Sequence, residues 1–276
     1  CALPISADRL MPHMLILGMG YSASRLADRL RGDGWRVTGV RRAADVQAGI
    51  LAFDDDNAVL CAIATASHIL SSVPPLGDLD PVLHRYGSAI TTAPAIWTGY
   101  LSSTGVYGDT NGAWVDESAP IGRGRRTARV QADQDWGALR VDMRRFRLPG
   151  IYGPGRSALD RVRAGRAHRI DLPNQIFSRI HVDDITKGII ASFGGPPGVY
   201  NLADDLPCSQ NRVIELACDL TTLPWPPLQS LDAAKLSPMA RGFYAENRRV
   251  ANGRAKRLLS WTPDYPTYVE GLRACL

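Results

Sequence analysis

Short continuous apolar runs alternate along this chain with longer segments whose apolar residues recur at helical spacing. The run Met14 to Leu17 ends at Gly18 and predicts a buried first strand. Ala23, Leu26, Ala27 and Leu30 then share one face of a helix that stops at Gly32-Asp33-Gly34. Further strands are predicted over Trp35 to Val40 and over Ile50 to Phe53, the latter closed by Asp54-Asp55-Asp56. Two more run over His68 to Val73, closed by Pro74-Pro75, and over Ala95 to Ser102. Between these last two, Leu79, Val82, Leu83, Tyr86 and Ile90 mark a helix.

Beyond that point Ala128 to Leu139 reads as a helix and Arg140 to Leu148 as a strand. Gln175 to Val182 reads as another strand, followed by a helix capped at Asp183 or Asp184, and Val199 to Leu202 closes the sheet. After about Ala203 the rhythm breaks into short helices, Ser209 to Leu220 and Asn252 to Leu259, with Pro-rich turns such as Leu223 to Pro227. Strands alternating with helices imply parallel βαβ units and an α/β fold class. No internal repeat or low-complexity segment interrupts the pattern.

The first strand leads into Gly18-Met19-Gly20-Tyr21-Ser22-Ala23, a Gly-x-Gly-x-x-Ala turn opening a helix. Gly18 allows the tight turn, Gly20 lets backbone approach a pyrophosphate, and Ala23 permits close helix–sheet packing. The helix N-terminus, with Tyr21 and Ser22, then offers free N–H groups to phosphates. This context predicts a Rossmann-type doubly wound parallel sheet that binds a dinucleotide. An NAD site places a carboxylate at the end of the second strand to hold the ribose 2′-OH. Here Arg41 and Arg42 stand there instead, suited to a 2′-phosphate. The expected cofactor is therefore NADP(H), with NAD(H) as the alternative, and Asp54 after the third strand is placed with the cofactor set.

The 276 residues suffice for one large domain with a small appended lobe. The expected division is a leader over 1–13 outside the fold, a Rossmann domain over 14–155 plus 178–202, and a C-terminal substrate lobe over 156–177 plus 203–276. The leader lacks the basic and apolar regions of a secretory signal. No apolar run reaches the length of a membrane span. Net charge is +5 and only Lys187, Lys235 and Lys256 are lysine, but the arginines are scattered among acids, so nucleic acid is the weakest partner class. Five cysteines without a CxxC pair fit a reducing, cytoplasmic setting and argue against a zinc site. A homodimer is the default assembly.

Several segments together resemble the extended short-chain dehydrogenase/reductases, the NAD-dependent epimerase/dehydratase family. They are the Gly18 turn, Leu101 to Gly108, Leu148 to Arg156, Arg179 to Asp184, and the tail from Asn247 to Pro263. The resemblance runs over nearly the whole chain from Met14. It implies that Ser103 hydrogen-bonds the reacting oxygen of the substrate and that the stretch Ser71 to Pro74, with Ser72 and Val73, runs beside the nicotinamide ribose. The family's proton shuttle is a Tyr followed four residues later by Lys, and no Tyr of this sequence is so followed. Alignment on Val130 to Asp133 puts Arg125 at the Tyr position and Arg129 at the Lys position. Arginine is no acid or base near neutral pH, though it can stabilise an oxyanion.

The catalytic candidates are accordingly Ser103, Tyr107, Arg125 and Arg129. Tyr107 and Tyr152 are replacements for the missing Tyr, the former favouring packing and the latter shaping the cleft. Arg123, Arg125, Arg126 and Arg129, with Arg156, form either a solvated face or a clamp for an anionic small-molecule substrate. His181 and Asp183-Asp184 look catalytic, but the resemblance makes them a strand end and a helix cap. No set of metal ligands converges. The expected activity is hydride transfer between the nicotinamide and a small polar metabolite, of which a nucleotide-linked sugar is one kind, by an oxidoreductase or epimerase-like protein. The rival is a non-catalytic NADP(H)-binding sensor or regulator.

Overall fold

The computed structural model describes residues 11–122, 124, 125 and 127–276. Thirteen strands occur among them: β1 (His13–Leu17), β2 (Arg36–Arg41), β3 (Ile50–Ala52), β4 (His68–Ser71), β5 (Trp97–Ser103), β6 (Trp114–Val115) and β7 (Met143–Leu148), then β8 (Gly150–Tyr152), β9 (Arg169–Ile170), β10 (Arg179–His181), β11 (Gly198–Asn201), β12 (Leu228–Gln229) and β13 (Arg249–Val250). The helices are α1 (Tyr21–Gly32), α2 (Asp56–Thr65), α3 (Pro81–Thr91), α4 (Thr127–Leu139) and α5 (Ala158–Arg163), then α6 (Val182–Ala191), α7 (Gln210–Thr221), α8 (Pro238–Phe243), α9 (Gly253–Leu259) and α10 (Tyr268–Arg273).

Seven strands form one parallel sheet in the order β11-β7-β5-β4-β1-β2-β3. The order reverses at β1 and β4, so the crevice for a ligand opens at their carboxyl ends. Both faces are covered, which is why β1 is buried at all five positions. On one face α1, α6 and α9 pack on Met14, Ile16, Phe146 and Tyr200. On the other, α2, α3 and α4 pack on Leu15, Leu17, Ile69 and Tyr100. A third cluster, from α5, α7 and α10 around Tyr152, Ile214 and Leu272, forms the core of the smaller C-terminal lobe.

The structure departs from the sequence reading in particular places. β1 begins at His13, which is 4% exposed, so the expected leader reaches one residue too far. Helix α2, capped by Asp55 through the Ala58 N–H, had no counterpart in the sequence reading, because Ala and apolar residues surround it on most sides. Of the expected strand Gln175 to Val182, Arg179–His181 forms a strand, and Phe177 makes a single antiparallel bridge with Cys208. The strand pairs with β8 outside the main sheet, because that sheet already ends at β11. Asp183 and Asp184 lie inside the first turn of α6, and His181 is its cap, Nδ1 accepting from the Asp183 N–H at 3.3 Å.

Candidate functional site

A cleft of about 1230 Å³ opens between the carboxyl ends of the central strands and the C-terminal lobe. Its sheet side is built around the β1–α1 turn. Gly18 has φ +98, and a Cβ there would stand 2.8 Å from Val73 Cγ2 and 2.9 Å from Ser72 Oγ. The Ser72 hydroxyl donates to the Gly18 carbonyl, and the Gly18 N–H donates to the Val40 carbonyl at 2.8 Å. Gly18 is therefore glycine for the fold. Gly20 differs: its φ of −92 suits any residue, and nothing lies within 4 Å of where a Cβ would stand.

That open space belongs to the cleft, which Gly20, Tyr21, Ser22 and Ala23 line together. Gly20 caps α1 without a side-chain hydrogen bond, and the first turn carries no acid. Its N–H groups are thus left for an anion. Ser72 and Pro74 line the same wall, whereas Val73 is turned onto Gly18. Arg41, Arg42 and Asp54 are exposed at the ends of β2 and β3 and do not line the cleft. Arg41 makes a loose exposed pair with Asp45 at 3.6 Å, too weak to fix it in place.

Ser103 ends β5 and lines the cleft. Its oxygen accepts from the Gly105 N–H at 3.1 Å, which leaves the hydroxyl proton to donate elsewhere. Arg129, one helical element away, also lines the cleft. Its charge bears on the buried Tyr100 phenol, whose pKa burial pushes up and Arg129 opposes.

Two of the expected catalytic residues stand elsewhere. Tyr107 is 1% exposed and does not line the cleft. Its hydroxyl donates to Asn201 Oδ1 at 2.8 Å and accepts from Arg147 at 3.0 Å. Burial raises its pKa and the Arg147 charge opposes that. It is a core residue whose proton is committed. Arg125 is drawn off by the C-terminal lobe, where it donates to the Gly242 carbonyl and pairs with Glu246 at 3.7 Å. Arg123 and Arg126 lie outside the described residues.

His181, Asp183 and Asp184 are each engaged structurally. Asp183 pairs with Arg25 at 2.6 Å. Asp184 accepts from the Asp264 and Tyr265 N–H groups at 2.6 and 3.2 Å, and burial pushes its carboxyl up to about 6. Tyr152 lines the cleft with its ring edge-on to His181. Among the described residues no group of three or more His, Cys, Asp or Glu is placed to hold a metal ion, and no helix is long and apolar enough to cross a membrane.

The lobe side of the cleft carries groups that periodicity and spacing did not single out: Arg161, Arg179, Tyr244, Glu246 and Arg248. Glu246 holds Arg248 at 2.8 Å in addition to Arg125. Arg179 was visible only as part of the Arg179 to Asp184 segment, and Arg161 carried no local signal at all.

No protein-family model matches the chain. A functionally unknown conserved protein from Silicibacter pomeroyi is 42% identical, with a TM-score of 0.86 over 96% of this chain and 98% of that one. Protein YeeZ of Escherichia coli K12 is 28% identical over 88% of this chain and 94% of its own length. The human epimerase family protein SDR39U1, solved with NADPH, shares 18% identity and a TM-score of 0.76 over 95% of this chain and 98% of that one. Solved structures with this fold include complexes with NAD as well as with NADPH. The fold is that of the NAD(P)-binding, Rossmann-type epimerase/dehydratase structures.

Proposed function

We propose, for a chain that belongs to the same family as the conserved Silicibacter pomeroyi protein, that it binds NADP(H) and transfers hydride to or from a small polar metabolite. The observation that carries this reading is the open space at Gly20. It lies in one continuous cleft with the uncapped start of α1 and with Ser103. The residues present fit a dinucleotide: Gly20 to Ala23 would hold the pyrophosphate, and Ser72 and Pro74 would border the nicotinamide ribose. When bound, the cofactor supplies or accepts the hydride.

The chain's own groups then do the rest. Ser103 orients the reacting oxygen with the hydroxyl proton that Gly105 leaves free. Arg129 sits at the position of the family's lysine and offers a fixed positive charge to the ribose or to developing negative charge on that oxygen. Neither residue is a proton donor of the Tyr–Lys kind, which marks the protein as an atypical member of the extended short-chain dehydrogenase/reductases. The cleft is larger than a typical pocket of about 300–1,000 Å³, so it has room for a second small molecule, which favours an enzyme over a sensor.

NADP(H) is favoured over NAD(H) because Arg41 and Arg42 end β2 where a ribose-binding carboxylate would otherwise stand. Their exposure and the loose Asp45 pair leave both free to swing onto a 2′-phosphate. Titration of nicotinamide fluorescence with NADPH and NADH tests this. The expected outcome is at least about tenfold tighter NADPH binding, abolished in an Arg41→Glu/Arg42→Glu variant. Equal affinities would remove the NADP(H) assignment, and no binding of either would remove the reading as a whole.

A further inference from the structure

We propose that the molecule bound beside the cofactor carries an anionic oxyacid group, a carboxylate or a phosphate, seated between the guanidinium groups of Arg161 and Arg179 on the lobe side of the cleft. This deepens the reading above and rests on the cleft being the substrate site.

Arg179 is 6% exposed and lines the cleft. All its hydrogen-bond partners are neutral: the Phe177 carbonyl at 3.0 Å, the Cys208 carbonyl and Sγ at 3.3 and 3.2 Å, the Ser209 carbonyl at 3.3 Å and Gln210 Oε1 at 3.3 Å. It forms no ion pair with a described residue. The Arg179 charge bears on Asp204, whose two carboxyl oxygens are buried without a hydrogen-bond partner. Burial pushes that carboxyl up to about 8, so it is mostly neutral at pH 7 and does not cancel the Arg179 charge.

Arg161, on α5, is exposed, but to the interior of the cleft. Its side chain makes no hydrogen bond or ion pair with any described residue. Burial and the Arg179 charge both lower its pKa, so the two cations bear on each other. Tyr244 lines the same bay, edge-on to Phe177 at 5.4 Å, and both arginines act on its phenol. The one carboxylate among the described lining residues, Glu246, is engaged by Arg125 and Arg248. The two guanidiniums therefore face the cavity without a carboxylate of their own, and an anion would complete the arrangement.

Elsewhere the fold treats buried arginines differently. Arg147 is matched by Asp133 at 2.8 Å. Arg144 also lacks a carboxylate partner and bonds carbonyls beside the Trp97 ring, with its Nε buried and unpaired, but it lines no cavity. Arg129, Arg156 and Arg166 line the same cleft without an ion pair to a described residue, so Arg161 and Arg179 belong to a cavity whose positive charge is largely uncompensated and which has room for a ligand. The planar fork of Arg161, which has no partner among the described residues, accommodates two oxygens of one group, which a carboxylate and a phosphate both provide. Arg179, its terminal nitrogens already held by protein acceptors, adds its charge.

The test is a thermal-shift titration of the full chain, saturated with NADPH, with inorganic phosphate and separately with succinate. Saturation keeps either probe out of the Gly20 cradle. At least one probe is expected to stabilise the protein saturably, and its midpoint concentration should rise about tenfold or more in Arg161→Gln. NADPH affinity should be unchanged in that variant, and Arg161→Lys should keep part of the anion effect. Stronger binding of phosphate or of succinate identifies the group. The same midpoint in wild type and Arg161→Gln, or no saturable binding of either probe, overturns the site. If NADPH does not bind but an anion still does, and Arg161→Gln weakens it, this site stands while the dinucleotide reading falls.

Discussion

At Gly20 the backbone is ordinary and the surroundings are not. A φ of −92 and ψ of −170 suit any residue, so a side chain there strains nothing in the protein itself. The expected outcome for Gly20→Val is a folded protein, melting within a few degrees of wild type, whose NADPH affinity falls at least about tenfold by fluorescence titration. Normal NADPH binding in this variant would move the cofactor elsewhere. Gly18 makes the contrast: its φ of +98 and the nearby Ser72 and Val73 mean that any substitution there acts on the fold first. Both glycines were legible in the sequence because the Gly-x-Gly-x-x-Ala spacing is local, although the contacts that demand glycine at Gly18 come from Ser72 and Val73. Arg125 was not legible. What decides its role is Glu246, 121 residues further on, and no spacing along the chain announces that partner.

Among the elements, the same division holds between what short-range pattern reveals and what packing decides. Strand β1 carries the apolar run Met14 to Leu17 and could be read directly. The two-residue strands β6, β9, β12 and β13 are too short for any period to show. Strand β7 is the instructive case, since Met143-Arg144-Arg145-Phe146-Arg147-Leu148 is an unusual sequence for the interior of a parallel sheet. It is tolerated because α4 lays Asp133, fully buried, against Arg145 at 2.9 Å and Arg147 at 2.8 Å, with Ser102 donating at 2.6 Å. Burial pushes the Asp133 carboxyl up, but Arg147, Ser102 and Arg145 together outweigh that and hold it below the usual range. Replacing Asp133 with Ala leaves Arg147 buried and uncompensated, and a loss of about 3–5 kcal/mol is expected by urea unfolding. An Asp133→Ala/Arg147→Leu double variant should regain part of that loss. If Asp133→Ala costs nothing, the network is not what fixes α4 onto β7.

For the whole molecule, the buried ionisable groups give stability an optimum whose two sides have different owners. On the acid side His13, His68 and His181 are buried, and burial lowers each pKa, His68 to about 4. An unfolded histidine takes up a proton near pH 6.5 that the folded one refuses, so stability falls as pH drops through that value. On the alkaline side the sign reverses at Asp204. Its folded carboxyl is raised to about 8 by burial, so between the ordinary carboxylate pKa and pH 8 the folded state holds a proton that the unfolded state has lost. Stability must therefore decline as pH rises through that window, and the decline ends once pH exceeds about 8. Between pH 7 and 8 most other carboxyls no longer titrate in either state. The residual titration of unfolded histidines raises stability with pH, while that of the cysteines, whose folded thiols burial pushes up, lowers it, so Asp204 dominates the slope. Wild type is expected to lose about 1 kcal/mol of unfolding free energy over that unit in denaturant titrations, and Asp204→Asn should be nearly flat. Because Asp204 sits behind Arg179, a bound anion that occupies the arginine should steepen the wild-type slope, since it withdraws what little positive charge favours the ionised carboxyl. A slope that persists in Asp204→Asn would show that the proton belongs to another group, and with it that the Arg179 charge is already neutralised within the fold.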